Sequence, residues 1–394
     1  MNILYISAMC SSRMIDKIHK ATGINPGFAM QKFNRLIARG FAQNGATVDT
    51  LSAILPVSSR WKLILKEKGE EEQSVKYHYI PSINFPLLRH VSLFLYTFFY
   101  VLGVGMRHRK DTRTVFDVLN ISVCLGGLLA SKLAGLKSCG IMTDMPGLMV
   151  GAPKSTFGKI TSSVNKRYLS KFDYYVFLTE AMNEIVNVHH RPYIVMEGLV
   201  DSEELKVSGT EATAQKERTI CYAGGLYEKY GIKMLVDAFL RLEDKNIQLS
   251  LFGTGDMVAY IKEQANKDER IKYLGVAPNS KLIEIEKASL LLINPRPTHE
   301  EFVKYSFPSK NMEYMVSGTP LVTTKLPGMP KEYNCYVYLF EDETVDGYYK
   351  TLRNVLSKPE SELAAFGERA RKFVLSKKNN IAQTQRILKL LASV

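Results

Sequence analysis

Thr219-Ile220-Cys221-Tyr222-Ala223-Gly224-Gly225-Leu226, running on through Tyr227-Glu228-Lys229-Tyr230-Gly231 into Ile232–Leu240, decides the fold. An apolar strand-like run ends at paired glycines, and an amphipathic stretch follows at once. This is the strand–turn–helix order of a doubly wound parallel sheet. Glycines at such a turn let backbone N–H groups approach a phosphate with no Cβ in the way, and Lys229 adds a cation. They also make an ordinary turn, and this segment alone does not separate the two readings. Leu251-Phe252-Gly253-Thr254-Gly255-Asp256 repeats the device. Parallel strands place both turns at one edge of the sheet.

The alternation extends in both directions. Downstream, strands are predicted at Gln248–Phe252, Ile271–Tyr273, Leu290–Asn294 and Leu321–Thr323, with helices between them and a closing helix from Lys358 to Val394. Upstream, strands are predicted at Asn2–Ser7, Thr47–Leu51, Val115–Asn120, Ser138–Thr143 and Tyr174–Leu178. Helices are predicted at Met30–Asn44, Gly126–Ala134 and Gly158–Leu169. A polar stretch, Ser202 to Arg218, reads as a linker or a loose surface loop. The expected organisation is α/β: two Rossmann-like doubly wound domains, 1–197 and 198–376, with a C-terminal helix over about 377–394 packing back on the first. A cleft between the two is the default ligand site.

The 394 residues carry a net charge of +13, distributed unevenly. Residues 1–197 hold 24 basic and 13 acidic side chains, and the remainder hold 28 and 26. The first half is therefore expected to face an anionic partner: nucleic acid, an anionic membrane surface or a phosphorylated substrate. Five cysteines without a C-x-x-C pair exclude a disulfide framework and a structural zinc site. None of the histidines has metal-ligand spacing. The short apolar N-terminus lacks a leading basic region, so it reads as a buried strand, and a cytoplasmic location is expected.

Val91 to Met106 is uncharged and aromatic-rich, with Arg89 and His90 before it and Arg107, His108, Arg109 and Lys110 after. It falls short of the roughly 20 residues of a spanning helix. A buried core helix and an interfacial helix with its basic ends on lipid head groups both fit.

Two further segments carry chemistry. Ile293-Asn294-Pro295-Arg296-Pro297 ends an apolar strand with Asn294 and Arg296 at the same sheet edge. In Tyr305-Ser306-Phe307-Pro308-Ser309-Lys310-Asn311-Met312-Glu313-Tyr314-Met315-Val316-Ser317-Gly318-Thr319-Pro320, Pro308 and Ser309 suit a helix start and Gly318 its end. The helix N-terminus offers free N–H groups and its positive dipole end to a phosphate. Ser309 adds a hydroxyl, Lys310 a cation and Glu313, one turn on, a carboxylate able to accept from two sugar hydroxyls.

With these motifs the chain resembles a glycosyltransferase of the two-Rossmann-domain GT-B fold, close to the large retaining family 4. The resemblance covers essentially the whole chain and is most specific from Thr219 to Pro320. Gly224-Gly225-Leu226 and Gly231 match the family's glycine turn and Lys-Gly pair, but Gly225 stands where the family has arginine and Tyr230 where it has lysine. Lys229 is one residue early. Glu313 matches the second of two family glutamates, the one that holds the donor ribose, while the first falls at Tyr305. This departure resembles a branch in bacterial polysaccharide assembly that carries a Phe-Pro-Ser-Lys motif.

The resemblance implies a metal-independent transfer, with retention, from a nucleotide-diphosphate sugar to a sugar hydroxyl of a lipid-linked acceptor. No other cofactor is implied. The donor is expected across Gly224, Gly225, Tyr230, Gly253, Gly255, Asn294, Arg296, Ser309, Lys310 and Glu313. Lys229, Lys310 and Glu313 are expected to act in catalysis together with Asp144, which can accept the acceptor hydroxyl's proton. Asn25 and Gly27 match the first-domain loop that approaches donor and acceptor. A nucleotide-sugar epimerase of the same fold and a basic nucleic-acid-binding protein are the competing readings. The first is disfavoured by the charge asymmetry, and the second by the lack of a recognisable binding module.

Overall fold

Two runs of parallel strands, each opening on a buried apolar segment, build two units, Met1–Leu199 with Asn380–Val394 and Val200–Asn379. The computed structural model describes residues 1–23, 28–54, 64–83, 85–144, 167–204 and 216–393. Expectations for Asn25, Gly27, most of the Ser202–Arg218 linker and the helix over Gly158–Leu169, save its last three residues, fall outside these.

In the first unit β1 (Asn2–Ser7) is buried at every position after Asn2, as a parallel strand covered on both faces must be. It leads to α1 (Ser12–Thr22), α2 (Phe28–Gln43) and β2 (Thr47–Ser52). Short strands β3 (Ile64–Leu65), β4 (Glu70–Glu72), β5 (Val75–Tyr79) and β6 (Ser82–Ile83) precede α3 (Pro86–His108). Then come β7 (Thr112–Asp117), α4 (Ile121–Ala134), β8 (Lys137–Met142), β9 (Tyr174–Phe177), α5 (Glu180–Val186) and β10 (Tyr193–Val195). The sheet order is β10-β9-β8-β7-β1-β2-β5-β4, with only β4 antiparallel to its neighbour. The strand order reverses between β1 and β7, the topological switch point.

Three local differences from the sequence reading have physical causes. The segment after β1, for which no helix is predicted, contains α1. Ser11 caps it by accepting from the Met14 N–H at 3.0 Å, and Gly23 ends it at φ 70°. Strand β7 lies three residues earlier than expected because Asn120 caps α4, its Oδ1 accepting from the Val123 N–H. Helix α3 extends beyond the uncharged run to take in Arg89 and Arg107, and it is buried on one face only. Leu93, Thr97 and Val101 point inward, while Leu88, Val91, Leu95 and Phe99 are exposed, Phe99 by 64%. It is long and apolar enough to cross a membrane by length and composition. Helix α4 lies alongside, with His90 Nδ1 2.8 Å from Ser122 Oγ, and adds exposed Leu129 and Leu133.

The second unit runs β11 (Glu217–Ala223), α6 (Ile232–Leu240), β12 (Gln248–Phe252), α7 (Val258–Lys267), β13 (Ile271–Gly275), α8 (Asn279–Ala288) and β14 (Ser289–Asn294). It continues through α9 (Ser309–Ser317), β15 (Leu321–Thr324), β16 (Tyr338–Phe340), α10 (Val345–Leu356) and α11 (Glu360–Lys377). All six strands are parallel in the order β13-β12-β11-β14-β15-β16, so the switch point lies between β11 and β14.

The closing segment is two helices rather than one. At the break, the Val200 N–H donates to the Lys378 carbonyl at 2.9 Å, and the Asn379 amide turns back to the Leu375 carbonyl. Helix α12 (Asn380–Ala392) then belongs to the first unit. There Asn44 Nδ2 donates to the Ile381 carbonyl, and Ile387 and Leu391 join the core around Ile3 and Phe41. With α12 included, the first unit holds 26 basic and 13 acidic residues and the second 26 of each. The net charge of the chain therefore resides entirely in the first unit.

Candidate functional site

The carboxyl ends of β11, β12 and β14 bring the glycine turns together, and the backbone geometry shows why glycine is required there. Gly253 has φ 134°, and a Cβ on it would stand 1.8 Å from the Gly224 carbonyl oxygen. A Cβ on Gly255 would meet the Leu226 carbonyl at 2.1 Å. The turns are also laced to each other: the Gly224 N–H donates to the Phe252 carbonyl and the Gly253 N–H to the Gly275 carbonyl. These two N–H groups, expected at a phosphate, are engaged within the fold. Gly225 instead lies beneath the Tyr227 and Tyr230 rings, where a Cβ would be 2.9 Å from Tyr227 and 3.0 Å from Tyr230.

Across the switch point, Arg296 follows β14. Its guanidinium lies 5.0 Å from the Tyr230 ring centre and 5.7 Å from that of Phe302. Burial lowers its pKa, and no carboxylate ion pair to it is found among the described residues. A half-buried guanidinium held by aromatic faces and facing no carboxylate is a ready receptor for an anion. Lys229 is exposed, its ammonium 5.5 Å from the Tyr230 ring on the short 3₁₀ turn Glu228–Tyr230.

Helix α9 starts and ends as its sequence requires, with Pro308 before it and Gly318 at φ 77° after it. Its first turn is tied to the sheet: Asn294 Nδ2 donates to Asn311 Oδ1 at 2.6 Å, and the Tyr314 hydroxyl accepts from the Ala223 N–H. Ser309 is exposed at the N-terminus. Lys310 Nζ stands 3.0 Å from Glu313 Oε2 and 4.0 Å from Glu286 Oε1.

Glu286, in the last turn of α8, is absent from the sequence reading. Its side chain is 4% exposed, and burial pushes its pKa up to about 7 against the pull of Lys310. One turn of charged α8 sequence gives no hint that this glutamate alone turns inward. The structure thus brings Gly224, Gly225, Tyr230, Gly253, Gly255, Asn294, Arg296, Ser309, Lys310 and Glu313 to one edge of one sheet.

In the first unit Asp144 stands two residues past β8 and is half-buried. A second carboxyl was not anticipated there. Asp117, at the end of β7, accepts from Asn34 Nδ2 at 2.9 Å and from the Leu119 N–H, and burial pushes it up to about 6. Its signal in the sequence is an acidic residue closing the apolar run Val115-Phe116. Among the described residues no group of three or more His, Cys, Asp or Glu is placed to hold a metal ion.

Residues 206–373 match the family described as glycosyl transferases group 1. No curated protein matches the chain in sequence. Among solved structures, the chain is similar to Anabaena HepE in complex with UDP, at 15% identity over 100% of both chains and a TM-score of 0.64. It is similar to sucrose-phosphate synthase from Thermosynechococcus elongatus at 13% identity over 100% of both chains, TM-score 0.62. It is also similar to the lipopolysaccharide outer core galactosyltransferase WaaB at 13% identity over 100% of this chain and 99% of that chain, TM-score 0.61. The chain has the GT-B fold along its full length.

Proposed function

We propose that the chain, a nucleotide-sugar glycosyltransferase of the GT-B fold, takes its donor at the switch point of the second unit and transfers the sugar to a lipid-linked acceptor in cell-surface polysaccharide synthesis. The observation that carries this reading is the α9 N-terminus, with Ser309, Lys310 and Glu313, set at the same sheet edge as Arg296 and the glycine turns. HepE, of the same fold, is described in complex with UDP and with UDP-glucose.

In this reading the diphosphate lies against the α9 N-terminus and Ser309, while Lys310, Arg296 and Lys229 supply positive charge. Departure of the nucleoside diphosphate places negative charge on its terminal phosphate, and these preset groups stabilise it, each worth roughly 3–4 kcal/mol in the transition state. Glu313 holds the ribose hydroxyls, and Asp144 takes or positions the acceptor proton. The route is metal-independent and retaining, as in the family-4 branch with the Phe-Pro-Ser-Lys motif. Full activity in excess chelator tests the first of these properties, and the anomeric configuration of the product tests the second.

The acceptor side rests on the first unit. The unit carries the surplus of basic residues and exposes Leu95 and Phe99 on α3 and Leu129 and Leu133 on the neighbouring α4, while Arg107 stands in the last turn of α3 and Lys110 just past its end. Exposed apolar side chains on two packed helices of a basic unit fit the anionic inner leaflet, at about 1 kcal/mol per basic residue near the head groups. The enzyme is then cytoplasmic and peripheral, working where a lipid diphosphate carries the growing glycan. A panel of UDP-, GDP- and dTDP-sugars in thermal shift tests the donor site. A ligand at a hundred times its Kd stabilises by about 2.7 kcal/mol, and the absence of any shift removes the reading.

A further inference from the structure

We propose that Glu286 is a positioning residue that holds Lys310 while the site is empty, and that it takes up a proton when a nucleoside diphosphate draws the lysine away. This rests on the donor-site reading above and adds the coupling to it.

The argument starts from charge balance. One ammonium, Lys310, stands between two carboxylates, 3.0 Å from Glu313 and 4.0 Å from Glu286. The two carboxylates are not equivalent. Glu313 is 44% exposed and can turn to solvent or to sugar hydroxyls, whereas Glu286 is walled in. Helix α8 packs on α9, β11 and β14. The titratable groups of these elements around Glu286 are Lys310, Glu313 and Tyr314 on α9 and Cys221 on β11. Burial holds the Tyr314 hydroxyl well above its usual value and the Cys221 thiol at about 12, so neither titrates near neutrality. Lys310 is the cation that pulls on the Glu286 carboxyl; the nearby Lys216, just before β11, donates instead to the Lys287 carbonyl and to Thr319.

A diphosphate at the α9 N-terminus adds negative charge and recruits the ammonium. Glu286 is then left as a buried carboxylate without its cation, a state costly enough that the group protonates instead. A value already raised to about 7 by burial means that the proton is within reach at physiological pH. By linkage, a ligand that raises the pKa of a group binds more tightly as pH falls through that range.

The test is titration calorimetry of UDP, GDP, ADP and dTDP against the full chain, in two buffers of different ionisation enthalpy. For the nucleotide that binds, the wild type is expected to take up a few tenths of a proton more at pH 7.5 than Glu286→Gln, which also cancels the nucleotide's own titration. Affinity of the wild type should weaken about threefold to tenfold from pH 6.5 to 8.5 beyond any change in the variant. Lys310→Met should abolish the extra uptake as well, because Glu286 is then neutral before binding. Binding with identical proton exchange in wild type and both variants overturns the coupling and leaves the donor site standing. Failure of every nucleotide to bind overturns the donor site itself. If Glu286→Gln does not fold, the wild type and Lys310→Met alone decide the matter by the same comparison.

Discussion

The guanidinium of Arg296 and the ring of Tyr230 face each other at 5.0 Å across the switch point of the second sheet. The two residues, 66 positions apart in sequence, come from the loops after β14 and after β11. Tyr230 stands where the resembled family carries lysine and Gly225 where it carries arginine, so the cation missing from the first loop is present in space on the second. Nothing in the spacing of either motif announces that substitution.

Arg296→Ala is therefore expected to weaken nucleotide binding by about tenfold or more, the worth of one charge-assisted contact. Arg296→Lys should restore only part of it, because an ammonium neither forks to a phosphate nor stacks on Tyr230 as a guanidinium does. Calorimetric affinities for the same nucleotide check both. Equal affinity in wild type and Arg296→Ala removes Arg296 from the site.

Lys310→Ala should lower turnover by about two to three decades while leaving the melting temperature within a few degrees. The side chain is one-third exposed and belongs to no apolar core, so little folding energy leaves with it. Transfer measured at saturating donor is the deciding quantity, and a near-normal rate assigns the diphosphate contacts elsewhere.

Gly253→Ala and Gly275→Ala separate two demands on glycine. Both positions have positive φ, at 134° and 68°, but only a Cβ on Gly253 would run into backbone, 1.8 Å from the Gly224 oxygen, whereas nothing lies within 4 Å of a Cβ on Gly275. The Gly275 change is expected to cost about 1 kcal/mol of left-handed strain. The Gly253 change should cost about 3 kcal/mol or more, since the two loops must move apart. Urea unfolding of both variants checks the order, and equal losses mean that the loops separate freely.

Much of this architecture is legible in the chain. Strands β11, β12 and β14 announce themselves as apolar runs ending in glycine or asparagine, and Pro308 and Gly318 bracket α9 as capping chemistry requires. The glycines themselves are ambiguous in sequence: phosphate contact and loop-to-loop packing demand the same residue, and only the distance from Gly253 to Gly224 shows the packing. Helix α1 has a cap at Ser11 and a stop at Gly23, but its polar length hides a two-residue apolar stripe, Met14 and Ile18. Glu286 is not legible at all. Which of the glutamates on α8 turns inward depends on where α9 lies, and that is set by tertiary packing rather than by local pattern.

Phe99→Glu and Leu133→Glu test the lipid-facing surface. Both side chains are about two-thirds exposed, so the substitutions should leave the fold intact. Each is expected to release the protein from anionic liposomes at low salt, whereas the wild type sediments with them. Sedimentation of both variants together with the vesicles assigns the apolar face another role, and it leaves transfer to a soluble acceptor unaffected.

Glu286→Gln is also expected to change stability in a pH-dependent way, and the direction follows from the sign of the shift. The carboxyl has an ordinary value of 4.5 and is raised to about 7 in the fold. The folded state thus favours the neutral acid, and an ionised Glu286 is a burden that the unfolded chain escapes. Below pH 4 the side chain is neutral in both states, so wild type and variant should unfold alike. The burden grows as pH rises from 4.5 toward 7 and is complete above that, so wild-type stability should fall across this window relative to the variant. Full expression of such a shift amounts to about 3 kcal/mol, or several degrees in the melting temperature of a unit this size. Thermal unfolding of both proteins at pH 4, 6 and 8 should therefore show curves that separate with rising pH. Curves that stay together mean that Lys310 compensates the burial of Glu286 fully, and that the carboxyl titrates alike in the folded and the unfolded chain.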